Sequence, residues 1–357
     1  MEKIKNIEFL RFIFSLIIVY CHLHLGIINN FGDNIPVYKT LIENSHWAHL
    51  PVDFFFIISG FFLFLTTKFD QNFIDFAKKK FIRFMPTILF ALILTFIFSL
   101  FTPTKFVKFD NVFVVLNLQN VGLTFKNGNV GTAWFVSSLF WTLCFYFYLY
   151  KCVERKIFNL ITACIVFFCY SLWIHTDGVQ YINIAYVFNR GMLRAFAGVG
   201  TGYFLSMIYK DNIESIKNKV FNIWQKLLLT AVEIYLFAFI IYYLCLHKTS
   251  YSNPMIMILA FIGLFVLFVI KKGYFSKLLE NNFSVFLGQF AFAIFLTHPV
   301  VKNVWKYLVC IDHRNFVISH PYMNLIMFFT IVIIVGIFTY YFVERPCTRY
   351  LKNKIKS

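Results

Sequence analysis

The first apolar stretch of the chain carries two side chains whose types and spacing suit chemistry, Arg11 and His22. On an α-helix their separation amounts to about 20° more than three full turns, so they share one face and lie about 16 Å apart along the axis. A neutral imidazole can act as a general base near neutral pH. Glu8 lies one turn before Arg11 and can pair with it, whereas His24 faces the opposite side of the helix.

Further ionisable residues interrupt other apolar segments. Asp53 begins one segment, Arg194 follows Arg190 by one helical turn in a second, and His298 precedes Pro299 in a third. An ionisable side chain at the centre of a membrane-spanning helix costs roughly 2.5–3.5 kcal/mol to insert, so such residues indicate function by default. The alternatives are structural: an arginine that reaches the membrane surface, a hydrogen-bonded core histidine, or an interfacial acid.

A basic segment precedes the third apolar stretch. It runs from Lys78 through Lys80 and Arg83 to Pro86, and the proline is expected at the start of a helix. Such a segment can anchor lipid headgroups. It can equally bind a phosphate-bearing cofactor, because Lys and Arg are the usual partners of phosphate.

Apolar helices must position these residues. Hydrophobic residues make up 60% of the 357, and the mean hydropathy is +0.71, well above the values of soluble domains. Windows of about 20 residues with few charges indicate membrane-spanning helices. They lie at 7–28, 50–67, 81–102, 131–150, 157–176, 186–209, 225–246, 254–271, 283–306 and 322–343. The sequence therefore predicts one all-α, polytopic membrane domain over residues 1–357, with about ten transmembrane helices.

The basic residues predict the orientation. Placing the N-terminus in the cytoplasm puts 22 of the 33 Lys and Arg residues on the inner side and eight on the outer side. The positive-inside rule then predicts that both termini are cytoplasmic. The net charge of +17 does not indicate nucleic-acid binding, because the basic residues are spread over short loops. It suits contact with anionic membrane lipids and an anionic cofactor.

The cysteines and loops contain none of the common local signatures. The eight cysteines include no CxxC pair and no zinc-ligand spacing, so neither a disulfide framework nor a metal is expected. A nucleophile elbow, a phosphate-binding loop and a dinucleotide-binding fingerprint are also missing.

Six segments in order resemble the acyltransferase-3 family of integral-membrane acyltransferases. The family's marks are an Arg and a His separated by ten intervening residues in the first helix, a Val-Asp-x-Phe-Phe-x-x-Ser-Gly-Phe run, a basic segment before Arg-x-x-Pro, and three later motifs. In this sequence they correspond to Arg11/His22, Val52 to Phe61, Lys80/Arg83/Pro86, Trp134 to Leu139, Phe295 to Pro299, and Phe342 to Pro346.

The resemblance implies an enzyme of the bacterial cytoplasmic (inner) membrane. Such an enzyme takes an acyl group, usually acetyl, from cytoplasmic acyl-CoA and gives it to a hydroxyl of a cell-surface glycan or its lipid-linked precursor. The sequence differs from the family's motifs at two places. Lys80 replaces a common Arg, which weakens bidentate phosphate binding. Trp134 is followed by Phe-Val-Ser-Ser instead of the Ser-x-Glu-Glu of many members, which leaves the sugar specificity open.

The same resemblance suggests roles for the residues. Lys80 and Arg83 are expected to bind the phosphates of the cofactor, whose pantetheine arm would follow the face shared by Arg11 and His22. His22 would act as general base, or be transiently acylated itself.

Three other side chains would assist at the outer end. Asp53 would orient an imidazole or position the sugar, and His298 would be a second polar group at the same depth. Arg194 would contact the cofactor and stabilise negative charge on the thioester oxygen.

Two readings from other classes stay open at this point. Ten spans with buried Arg, His and Asp could form a proton-coupled transporter, although the sequence has neither an internal repeat nor matching broken helices. The chain could also be a subunit of a glycan-export complex.

Overall fold

The computed structural model describes residues 4–23, 35–102, 108–119, 121, 128–175, 189–248 and 254–356. Every regular element among them is helical, and these residues contain no β-strand. The predicted all-α class is thereby confirmed. His24 and parts of three predicted spans (24–28, 176 and 186–188) lie outside the described residues.

Sixteen α-helices follow one another in the described residues. They are α1 (Lys5–Leu23), α2 (Pro36–Asn44), α3 (Pro51–Thr66), α4 (Phe73–Ser99), α5 (Lys108–Val115), α6 (Ala133–Cys152), α7 (Arg155–His175), α8 (Arg190–Asn218), α9 (Ile223–Cys245), α10 (Pro254–Ile270), α11 (Tyr274–Leu278), α12 (Asn282–Gly288), α13 (Ala291–Trp305), α14 (Arg314–Ser319), α15 (Pro321–Thr339) and α16 (Arg345–Lys356). Two π-helical segments interrupt the pattern: Lys306–Ile311 extends α13, and Tyr340–Glu344 joins α15 to α16.

The helices have the character of a multi-pass membrane protein. Seven stretches of the described chain are long and apolar enough to cross a bilayer: Lys5–Leu23, Phe73–Ser99, Ala133–Cys152, Arg155–His175, Ile223–Cys245, Asn282–Ile311 and Pro321–Lys354. Two shorter helices, α3 and α10, are also apolar. Each of the ten predicted windows overlaps a helix, because long apolar runs without charges favour that structure in lipid. Ten as the number of spans stays a prediction.

The basic segment corrects one expectation. Pro86 lies inside α4 instead of at its start, and α4 already begins at Phe73. The reason is local: the Asn72 side chain accepts a hydrogen bond from the Ile74 amide at 2.8 Å and so caps the helix earlier. Lys80 and Arg83 therefore project from a regular helix rather than from a loop.

Helices α3 and α8 pack with their backbones in contact. A Cβ atom at Gly60 would overlap the carbonyl of Val199, and one at Gly202 would overlap the carbonyl of Ile57. Gly198, one turn before Gly202, also has a side chain of α3 against it. Small residues spaced by four allow this close approach between membrane helices. The contact fixes the depth at which α3 and α8 present their polar residues to each other.

Candidate active site

A cavity of about 180 Å³ lies between α1, α3, α4, α6 and α13. Three cationic side chains line it: Arg11 from α1, and Lys80 and Arg83 from α4. The other walls are mostly apolar and include Phe55, Ile58, Phe62, Leu63, Phe84, Phe135, Leu139, Leu143, Phe292 and Phe295, with the hydroxyls of Ser59 and Thr66. The structure thus brings three sequence-predicted residues to one narrow, largely apolar space, which we call the inner cavity.

A wider cleft of about 730 Å³ adjoins the inner cavity, and we call it the vestibule. The two spaces share Thr66, Lys80 and Arg83, which therefore form the throat between them. The full set of cationic residues lining the vestibule is Lys68, Lys79, Lys80, Arg83, Arg349 and Lys352, against one acid, Asp70. The vestibule is an anion-attracting entrance to an apolar cavity.

Carboxylates lie near two of the cations of the inner cavity, and one of them forms an ion pair. Arg11 donates to Glu8 with an Nη1–Oε2 distance of 2.8 Å, as the sequence predicted for an i, i+3 pair. Gly288 allows this arrangement, because a Cβ atom there would overlap the backbone and side chain of Glu8. Arg83 lies within electrostatic range of Arg11, Glu8 and Glu344. The two carboxylates therefore offset part of the repulsion between the two guanidinium groups.

Two histidines lie beyond the inner cavity, at the opposite end from the vestibule. The imidazole rings of His22 on α1 and His298 on α13 have their centroids 5.0 Å apart. His22 Nδ1 lies 2.8 Å from the carbonyl oxygen of Ile18, and His298 Nδ1 lies 3.2 Å from that of Ile294.

These contacts determine the tautomers of both rings. A carbonyl oxygen can only accept, so each neutral ring carries its proton on Nδ1 and presents Nε2 as the basic nitrogen. His298 is fully buried, and its Nε2 has no hydrogen-bond partner within the described residues. The half-buried His22 therefore presents a basic nitrogen that can take a proton from a substrate, with the buried His298 ring beside it.

A series of aromatic rings joins the inner cavity to the histidines. Phe295 packs edge-on against His298 at 6.1 Å and against Phe135 at 5.1 Å, and Phe135 contacts Phe55 at 6.3 Å. Phe295 precedes His298 by three residues on α13, so one helical turn carries the cavity wall to the imidazole. The three phenyl rings form the end of the inner cavity nearest the histidines.

Asp53 and Arg194 form a buried bidentate pair across the contact of α3 and α8. Arg194 donates from Nε to Asp53 Oδ1 at 2.9 Å and from Nη2 to Oδ2 at 2.6 Å. The same Nη2 also donates to the carbonyl oxygen of His49 at 3.2 Å. The indole rings of Trp134 and Trp173 lie 5.9 and 5.3 Å from the guanidinium carbon. The structure thus joins two residues that the sequence suggested for separate roles.

Sequence reasoning missed part of the site. Arg349 and Lys352 on α16 line the vestibule, although the sequence analysis used them only to predict orientation. The sequence did contain a signal for them. They follow the Phe342 to Pro346 motif with i, i+3 spacing, which places two cations on one face of a helix. Ser59 also lines the inner cavity. In the sequence it was noted only as part of the Val52 to Phe61 motif.

No group of three or more His, Cys, Asp or Glu side chains arranged to hold a metal ion occurs in the part of the chain that the structure describes.

Comparison with known proteins identifies a family. Residues 4–344, nearly the whole chain, match the family model of acyltransferase 3, described as an acyltransferase domain. No curated protein and no solved structure matches the chain.

Proposed function

Since the chain belongs to the acyltransferase-3 family, we propose that it moves an acetyl or other short acyl group from cytoplasmic acyl-CoA to a hydroxyl group. The acceptor we propose is a bacterial cell-surface glycan or its lipid-linked precursor. The enzyme would act in the bacterial cytoplasmic membrane, with ten spans and both termini in the cytoplasm.

One observation carries this proposal: a cationic vestibule leads through a throat into an apolar cavity whose far end is joined by aromatic rings to two histidines. Acyl-CoA has the same order of parts, with phosphates at one end, a slender pantetheine arm in the middle and a thioester at the other end. Phosphates favour clustered Lys and Arg, and the arm suits a narrow cavity with few polar groups.

The predicted orientation agrees with this direction. The positive-inside rule places the cations of the vestibule on the cytoplasmic side, where acyl-CoA is made available. His22 lies about three helical turns from Arg11 along α1, toward the outer side. The donor would therefore enter from the cytoplasm and present its thioester toward the leaflet from which a surface glycan approaches.

Transfer would proceed by general base catalysis. His22 Nε2 takes the proton of the acceptor hydroxyl while its oxygen attacks the thioester carbonyl carbon. The tetrahedral intermediate collapses with cleavage of the C–S bond, and the CoA sulfur leaves and takes the proton back from the imidazolium. The hydrogen bond from His22 Nδ1 to the Ile18 carbonyl keeps the ring oriented and the correct nitrogen basic.

Transient acylation of His22 is the other route, and it uses the same nitrogen as nucleophile. The two routes differ in one observable: only the covalent route releases free CoA from acyl-CoA in a burst before any acceptor is added.

The remaining residues would support these steps. His298 would contribute a second imidazole at the reacting centre, 5.0 Å from His22. Arg194 would stabilise negative charge on the thioester oxygen, and Asp53 would keep its guanidinium in place through the bidentate pair. Arg11 would hold the donor in the inner cavity, while Lys80 and Arg83 bind its diphosphate at the throat.

The test is acetyl transfer by the purified protein in lipid nanodiscs, with labelled acetyl-CoA and glycans from a strain that lacks this gene. We expect saturable acetyl-CoA binding and labelled glycan, and the strain's surface polysaccharide to be lighter by acetyl groups. Glycan or proton flux through the protein without any use of acetyl-CoA would overturn the proposal in favour of a transporter.

A further inference from the structure

Helix α16 forms one wall of the vestibule. It begins at Arg345, directly after the residues that match the acyltransferase family, and contributes Arg349, Lys352 and Asn353 to the lining. Residues of α4 and of the segment before it, including Lys79 and Lys80, supply the rest of the cationic lining. The vestibule is therefore built from parts of the chain almost 300 residues apart.

Two cations of α16, Arg349 and Lys352, carry charge that is only partly offset, because Glu344 alone among acidic residues lines an adjoining pocket with them. Arg349 and Lys352 are exposed, and no ion pair or hydrogen bond within the described residues involves either side chain. Lys80 lies within electrostatic range of both Arg83 and Lys352, so like charges face one another across the cleft. Asp70 is the one acid in the lining, against six cations. Such a partly compensated cluster is stabilised when a polyvalent anion binds it.

The covalent order of CoA assigns its phosphates to different cations. The diphosphate adjoins the pantetheine arm, so it belongs at the throat, where Lys80 and Arg83 border both spaces. The ribose 3′-phosphate lies at the far end of the molecule. It must therefore reach cations that border the vestibule and not the inner cavity, which are Lys68, Lys79, Arg349 and Lys352. Lys79 already donates to Gln71, whereas Arg349 and Lys352 lie one helical turn apart on α16 and can bind one phosphate together.

We infer that α16 is a binding element for the donor, and that Arg349 and Lys352 bind the 3′-phosphate of CoA. This inference rests on the proposed function, because it supposes that the vestibule receives CoA. It adds a ligand specificity. Through α16 the protein would distinguish CoA from 3′-dephospho-CoA, the analogue that lacks this phosphate.

A double-variant binding cycle tests the inference. CoA and 3′-dephospho-CoA are titrated against the wild-type protein and the Arg349→Ala/Lys352→Ala variant, both in nanodiscs of uncharged lipid. The wild type should bind CoA about tenfold more tightly than dephospho-CoA, a difference of about 1.4 kcal/mol, because the charge-assisted hydrogen bonds to the 3′-phosphate are lost with that group. The variant should bind both ligands alike, with the affinity of the wild type for dephospho-CoA.

A charge-matched control separates direct contact from general attraction. Lys78 and Lys277 are exposed and line neither the vestibule nor the inner cavity. Lys78→Ala/Lys277→Ala removes the same charge and should keep the tenfold preference. An Arg349→Gln/Lys352→Gln variant, which retains hydrogen-bonding side chains on α16, serves if the alanine variant is not monodisperse.

Three results would overturn the inference. Equal losses for CoA and dephospho-CoA would mean that α16 attracts anions without reading the 3′-phosphate. Unchanged CoA affinity, together with weaker binding to vesicles containing anionic lipid, would assign α16 to lipid headgroups. If the wild type binds dephospho-CoA and CoA equally, the 3′-phosphate has no site here, while the proposed function stands. The absence of any binding of acyl-CoA to the wild type would instead remove the proposed function as well.

Discussion

The two ends of the candidate site are built in opposite ways. The vestibule is wide and open, and its six cations act in parallel on a ligand. At the histidine end, single atoms have defined partners, because His22 and His298 each point Nδ1 at a backbone carbonyl. The Asp53–Arg194 pair between α3 and α8 is equally specific, with two nitrogens of Arg194 bound to the carboxylate. Distributed charges make binding robust to the loss of one group, whereas a single basic nitrogen has no substitute. We therefore expect graded effects at one end and near-complete losses at the other.

The largest effect should come from His22→Ala. Loss of a general base lowers the rate by about 10²–10⁴-fold, while acyl-CoA affinity should stay within about twofold, because His22 does not line the inner cavity. Acetyl transfer and CoA binding measured on the same preparation check this.

The exposed His313 provides the control for that variant. His313→Ala should retain full transfer. If His22→Ala also retains full transfer, His22 is not the general base. The proposed contrast between the two ends of the site would then be wrong, although the chain would still belong to the family.

The next effect concerns stability. Arg194→Met leaves the fully buried Asp53 carboxylate without its partner, and breaking such a buried pair costs about 3–5 kcal/mol. The double variant Asp53→Leu/Arg194→Met removes both charges and should recover much of that loss. Unfolding of both variants by denaturing detergent measures the difference.

The activity of the double variant then separates structure from chemistry. If Arg194 stabilises the thioester oxygen, the double variant should be folded but impaired in transfer. A double variant that is both stable and fully active would show that the pair only holds α3 against α8.

A smaller effect is expected at the throat of the vestibule. Lys80→Gln/Arg83→Gln should weaken acyl-CoA binding, and more so at high salt than at low salt. The remaining cations attract the ligand only over the Debye length, which is roughly 8 Å at physiological ionic strength and shorter at higher salt. Equilibrium binding across a salt series tests this, with Lys78→Gln as the matched control on the same helix. Normal binding combined with poor membrane insertion would make the segment a lipid anchor.

The smallest effect should come from a single cation of the vestibule. Lys68→Gln removes one of six positive charges from an open cleft, and an exposed charge contributes about 0–1 kcal/mol. Acyl-CoA affinity should therefore fall by no more than about fivefold. A loss comparable to that of the throat variant would show that the vestibule relies on one residue and that the two ends are built alike.

Local patterns explain why parts of the fold and site were predictable. Hydropathy located helices in all ten windows, because a membrane helix satisfies its own backbone. The shared face of Arg11 and His22 follows from helical spacing alone. Helical spacing also predicted Glu8 as the partner of Arg11. The structure confirms the pair, with Arg11 Nη1 at 2.8 Å from Glu8 Oε2.

Contacts between distant segments were beyond the sequence. Asp53 and Arg194 are 141 residues apart, and only the packing of α3 on α8 joins them. The spacing of Gly198 and Gly202 signals such close packing but not the partner helix. Helix α4 begins early because Asn72 caps it. The sequence analysis took the basic segment as the boundary and so placed the start of the helix at Pro86. Pairing across the fold therefore decided the contact of α3 with α8, whereas a single local cap decided where α4 begins.

The position of α16 gives the protein an order of assembly. Arg11 leaves the ribosome before Arg349, which follows it 338 residues later, after on the order of a minute of synthesis. Until then the vestibule lacks a wall, so a nascent chain has its reactive imidazole long before it can capture acyl-CoA securely. Secure capture of acyl-CoA thus requires that α16 has been synthesised, and the ligand stabilises a chain that includes α16 in preference to shorter intermediates.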